Sequence, residues 1–192
     1  MGIRDLFSKR PENEAIHRTK VLVCSLGAKF QELAEEDSPI YSKFYPLTTV
    51  SFFSTINELL ESIKNKYDVV HLFVEVPADG ILTDSTGNQI AGTTLVQKCC
   101  ESDVKLLWIA SDNKPDGYIK GFKGGPINLV MTIKRNDSKF PHFLSALLTR
   151  MSSGEKMPTA WVAISPQTSR DSRHADLPAT IFSAGRGGAI LR

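Results

Sequence analysis

Glu75 and Ser111 are the residues of this chain best placed to do chemistry, because each closes a hydrophobic run. Residues 67–75 read Tyr-Asp-Val-Val-His-Leu-Phe-Val-Glu, and residues 104–113 read Val-Lys-Leu-Leu-Trp-Ile-Ala-Ser-Asp-Asn. A serine hydroxyl becomes a useful nucleophile only when a base within hydrogen-bond reach takes its proton. A carboxylate can act as that base or orient one. The pair therefore points to serine-type hydrolysis, with Ser111 attacking and Glu75 as base or orienter. No third orienting group stands beside them in the sequence. His71 lies inside the first run, four residues before Glu75, and reads as a buried strand histidine satisfied by hydrogen bonds. Asp112 and Asn113 read as residues that shape the loop after the second run.

Both runs have the length and apolar continuity of buried parallel strands, and both turn polar at their carboxyl ends. In open α/β sheets that edge collects ligands and catalytic groups. The segment from Thr19 to Gly27 predicts a strand before them, ending at a glycine turn, and residues 28–36 predict a helix or helical turn. Val50-Ser51-Phe52-Phe53 is a short apolar run. Thr55 followed by Glu58 is a capping box, and Ile56, Leu59, Leu60 and Ile63 then recur at helical spacing.

Residues 77–92 form a turn-rich loop in which Ile81 and Leu82 suggest a short hairpin edge. A helix over 93–100, a strand over 127–133, a helix from Pro141 to Met151 stopped by Ser152-Ser153-Gly154, a second helix over 158–164 anchored by Trp161, and a final strand over 179–184 follow. Strands alternating with helices predict a mostly parallel sheet covered on both faces. Residues 1–18 read as a polar segment or short helix with Ile3, Leu6 and Phe7 on one side. Residues 19–192 read as one α/β domain.

Composition narrows the function classes. There are 23 Lys+Arg against 21 Asp+Glu, a net charge of +2, which makes no electrostatic case for nucleic acid or an acidic membrane. No apolar stretch approaches the length of a membrane span, and the first ten residues lack the apolar core of a signal peptide. Cys24, Cys99 and Cys100 cannot make a disulfide framework, and no Cys/His cluster has zinc spacing. Three structural thiols in a reducing cytoplasm are the expectation. Asp79, Asp84 and Glu75 do not match a calcium loop and read as solvated carboxylates. Lys114, Lys120 and Lys123 with Tyr118 and Phe122, and Arg170, Arg173 and His174, read as solvated loops. Neither a cofactor nor a metal is expected.

Asp68-Val69-Val70-His71-Leu72 and Leu106-Leu107-Trp108-Ile109-Ala110 also fit, in order, the two active-site strands of the CHAT family of caspase-like cysteine peptidases. Gly125-Pro126 with Val130-Met131-Thr132-Ile133 resembles the family's next strand. Phe143-Leu144 through Leu147-Leu148, then Gly154-Glu155-Lys156 and Ala160-Trp161, resembles its large helix and the Gly-Lys and Ala positions that follow. Pro178-Ala179-Thr180-Ile181-Phe182 through Gly185 resembles its closing strand. The resemblance covers about residues 65–186 and implies a three-layer α/β/α fold with a mostly parallel central sheet, caspase-like in type.

It also implies that the catalytic histidine position falls on Glu75, with Val76 in place of a glycine, and that the cysteine position falls on Ser111. A thiolate–imidazole dyad needs both groups. The site formed by His71, Glu75, Ser111 and Asp112 is thus degenerate relative to the family. The first expectation is a non-catalytic, pseudo-protease domain that binds a protein partner in a bacterial-type stress or antiviral defence signalling system. The second is an active hydrolase using Ser111 with Glu75. The third is a Rossmann-like nucleotide sensor at Ser25, Gly27, Glu75 and Ser111, which would place phosphate at a glycine turn and helix N-terminus.

Overall fold

The computed structural model describes residues 18–110, 117, 121–122, 128–132, 139–164 and 180–183, with the backbone alone for 128–132, 139 and 180–183. The strands are β1 (Lys20–Leu26), β2 (Leu47–Phe53), β3 (Val69–Phe73), β4 (Ile81–Thr83), β5 (Gln89–Ala91), β6 (Leu106–Ala110), β7 (Asn128–Thr132) and β8 (Thr180–Ser183). The α-helices are α1 (Gln31–Phe44), α2 (Ile56–Ile63), α3 (Gly92–Glu101), α4 (Lys139–Ser152) and α5 (Met157–Ile164). Six strands form one sheet in the order β2-β1-β3-β6-β7-β8. All neighbours are parallel except β7 and β8. β4 and β5 form a separate antiparallel hairpin.

Period-two alternation divides the strand side chains between two layers. Val21, Val23, Val69, Phe73, Leu106, Trp108 and Ala110 pack with α1, α4 and α5. Leu22, Cys24, Leu26, Val70, Leu72, Leu107 and Ile109 pack with α2 and α3. Each fully buried Leu or Val is worth about 1.5–3 kcal/mol, more than an exposed ion pair supplies. The three-layer α/β/α architecture is therefore as the sequence predicts.

The chain leaves β1 for β2 through α1 on one face and returns to β3 through α2 on the other. The carboxyl ends of β1 and β3 consequently flank a topological switch point, where such sheets open a crevice.

Two local features differ from the sequence reading. The first helix runs on to Phe44, eight residues past the expected end, despite Pro39 inside it. Proline at that position leaves the Glu35 carbonyl without its helical N–H. The Ser38 hydroxyl donates to that carbonyl at 3.3 Å instead. The second feature is Asp84, which is 7% exposed rather than solvated. Its carboxylate accepts from the backbone N–H of Ile56 at 2.9 Å, Thr86 at 2.9 Å and Asn88 at 3.0 Å, and from the Thr86 hydroxyl at 2.7 Å.

Asp84 thus closes the hairpin turn and ties it to the first turn of α2, which the Thr55–Glu58 capping box also holds. Burial raises the Asp84 pKa, but the donors outweigh it and hold the carboxyl well below its ordinary range. A depressed folded-state pKa gives stability that is complete above the unfolded value near about 4 and lost as pH falls below it. Asp84→Asn is expected to lower the thermal midpoint by about 5 °C at neutral pH. The gap to wild type should narrow between about pH 5 and pH 3. Thermal melts across that range check both statements, and a constant gap would remove the ionised carboxylate from the account.

Candidate functional site at the carboxyl edge of the sheet

β3 and β6 are adjacent and parallel, with Phe73 beside Ala110 at the end of the register. The ladder continues one step further, because the Val74 N–H donates to the Ala110 carbonyl at 3.1 Å. Glu75 therefore lies in the loop just beyond the paired strands. Ser111 follows Ala110 in sequence and, with Asp112, lies outside the described residues.

At the amino ends, Asp68 aligns the same strands. Its carboxylate accepts from the Lys20 N–H at 2.9 Å and meets the Lys105 ammonium at 2.5 Å. Its carbonyl accepts from the N–H groups of Lys105 and Leu106. One residue thus fixes the start of β3 against both of its neighbours, β1 and β6.

Glu75 projects into solvent, its side chain 60% exposed, with the Lys29 ammonium 3.6 Å away. An exposed pair of this kind is screened and contributes little to stability. It brings a cation from the turn after β1 to the end of β3, across the switch point. Lys29 was not singled out by sequence, since only the fold carries residue 29 to residue 75.

Gly27 lies on the same edge with φ +86° and open space where a Cβ would stand. Its N–H is already donated to the Phe53 carbonyl at 2.9 Å. The turn that follows is a three-residue 3-10 helix, Ala28–Phe30, which leads directly into α1 at Gln31. Ser25 is fully buried, and its hydroxyl has no hydrogen-bond partner among the described residues.

His71 is separated from this edge. Four residues of strand place it roughly 13 Å from Glu75. It is fully buried. Its ring stacks on Phe73 at 4.5 Å and Trp108 at 5.2 Å, and meets Tyr41 edge-on at 5.6 Å. His71 is therefore part of an aromatic stack under α1.

Asp37 and Tyr41 are buried in α1, and Tyr45 is buried just past its end. Burial pushes the Tyr41 phenol up, with Asp37 and Tyr45 adding to the shift. The sequence does not reveal these three residues, because the helix it predicts stops at residue 36.

The cysteines sit far from nucleophile conditions. Burial pushes Cys24 well above the ordinary thiol range, and Cys99, also by burial, up to about 12. Cys100 is half-buried. Among the described residues no three His, Cys, Asp or Glu side chains gather as a metal site. The Asp79 carboxylate accepts from the Ile81 N–H at 3.0 Å and shapes the turn before β4.

Two loops meet beside the edge. A Cβ on Gly80 would stand 2.1 Å from the Gly121 Cα, and one on Gly117 would stand 2.0 Å from the Pro77 carbonyl oxygen. The segment after β6 is thereby pressed against the loop after β3, with Phe122 buried between them and α3. Lys114, Tyr118, Lys120, Lys123, Arg170, Arg173 and His174 lie outside the described residues. A cleft of about 360 Å³ opens at the other end of the sheet, lined by Lys20, Leu47, Thr48, Thr49, Asn65 and Tyr67, away from Glu75.

The fold and this edge define an α/β protein with a mostly parallel sheet and a polar carboxyl edge. No helix among the described residues is long and apolar enough to cross a membrane. Compared with known proteins, the chain matches no protein-family model and no curated sequence.

Proposed function

We propose that this chain is a non-catalytic, CHAT-like domain, a pseudo-protease that binds a protein partner within a bacterial-type stress or antiviral defence signalling system. The observation that supports the reading is the adjacency of β3 and β6. Their last paired residues are Phe73 and Ala110, and the ladder extends to Val74. Residues 75 and 111, where the resemblance puts the family's histidine and cysteine, therefore follow the ends of neighbouring parallel strands. A dyad would need these two positions side by side. Here they carry Glu and Ser, and the Glu75 carboxylate faces the Lys29 ammonium in solvent. An acid paired in that way is poorly arranged to take a proton from a serine hydroxyl.

The test is covalent profiling of the folded, full-length protein by intact mass, with a fluorophosphonate and a cysteine-directed probe. The expected result is no fluorophosphonate adduct. An adduct that Ser111→Ala abolishes would overturn the proposal and establish a serine hydrolase.

A further inference from the structure

β2 ends the sheet, and β1 alone pairs with it among the described residues. Its seven residues run in unbroken register with β1 from Leu47 to Phe53. An exposed strand edge recruits further strands, and proteins guard such edges with lysines, prolines, bulges or shortness. β2 carries none of these within its length, and residues 44–57 are uncharged throughout. Leu47, Val50 and Phe52 are 45%, 39% and 41% exposed.

We propose that a second copy of this chain covers this edge. β2 pairs antiparallel with its counterpart across a two-fold axis, joining the two central sheets into one. Full overlap of the strand places Val50 on the axis, opposite itself. Phe52 then faces Thr48, Phe53 faces Leu47, and Ser51 faces Thr49. Aromatic residues meet β-branched or aliphatic ones and hydroxyl meets hydroxyl, the cross-strand pairs that stabilise antiparallel ladders.

Charge supports the same arrangement. The uncharged stretch is bracketed by Lys43 before it and Glu58 after it, both exposed. Antiparallel pairing keeps each Lys43 and each Glu58 at the opposite end of the joined strands from its own counterpart, whereas parallel pairing would set like charges at the same end. The cleft beside Leu47 and Thr49 leaves room at the strand end where Phe53 of the partner subunit arrives. A strand edge alone covers less than the roughly 800 Å² per subunit of a standard interface, so the dimer is expected in the micromolar range.

Sedimentation velocity of the full chain from about 1 to about 200 µM should show a reversible monomer–dimer equilibrium. Val50→Lys sets two ammonium groups against each other on the axis and should weaken the dimer at least about tenfold. Val162→Lys, at a 57% exposed position on α5, should leave it intact. In a Cys100→Ser background, Val50→Cys should oxidise to a disulfide-linked dimer, because facing Cα atoms about 4.5–5.5 Å apart suit the bond. Three results would each overturn the proposal: a monomer at every concentration, a dimer indifferent to Val50→Lys, or Val50→Cys linking no faster than Val162→Cys.

Discussion

Glu75→His combined with Ser111→Cys should create a thiol that iodoacetamide alkylates about tenfold faster at pH 7 than the thiol of Ser111→Cys alone. The expectation follows from strand geometry. Neighbouring strands lie about 4.8 Å apart, and β3 and β6 end together at Phe73 and Ala110. Residues 75 and 111 each follow shortly after those ends. On the CHAT-like mapping an introduced imidazole at 75 would stand within reach of a sulfur at 111, and a partner of that kind lowers a thiol pKa from about 8.5 toward 7 or below. The native cysteines supply a quiet background, because Cys24 and Cys99 are buried and hold their protons. Cys100, the half-buried one, is replaced by serine in every variant. Glu75→Ala with Ser111→Cys separates an imidazole effect from simple loss of the carboxylate. Equal rates in all three variants would show that the two positions do not face each other, and the CHAT-like mapping would fall with that result.

The layered fold was legible in the sequence because its signals are local and redundant. Residues 67–75 and 104–113 announce buried strands by apolar continuity, and Thr55 with Glu58 announces the start of α2 by a hydrogen-bond pattern that the structure repeats. α1 was cut short for the opposite reason. Its continuation through Pro39 depends on the Ser38 hydroxyl serving the Glu35 carbonyl, a substitution of donors that no periodicity reveals. Asp84 read as a solvated loop carboxylate because its donors come from Ile56, twenty-eight residues earlier, as well as from its own turn. The candidate site was legible strand by strand, with Glu75 at an edge and His71 inside a strand. The Lys29 contact was not, since it exists only once β1 and β3 are neighbours. Edge status escaped for a similar reason. Val50-Ser51-Phe52-Phe53 reads only as a short apolar run, and only the order β2-β1-β3 shows that it belongs to the strand that ends the sheet.

Gly80→Ala should destabilise the protein by about 3 kcal/mol or more, a fall of about 6–12 °C in the melting midpoint. Two causes act together. Gly80 has φ +75°, where an L side chain is strained, and its added methyl would stand 2.1 Å from the Gly121 Cα and 2.7 Å from the Gly117 carbonyl oxygen. The obstacles are backbone atoms, which cannot rotate aside as a side chain can. Gly121→Ala meets the same contact from the other side, with its methyl 2.3 Å from the Gly80 Cα, and should cost a comparable amount. Gly87→Ala isolates the backbone strain, since φ is +85° there and nothing lies within 4 Å of the new methyl. It should cost only about 1–2 kcal/mol. Equal losses at 80 and 87 would mean that the two loops do not press together. A larger loss at 80 and 121 would mean that Gly121, in the segment after β6, is held against Gly80, in the loop after β3, by close backbone contact.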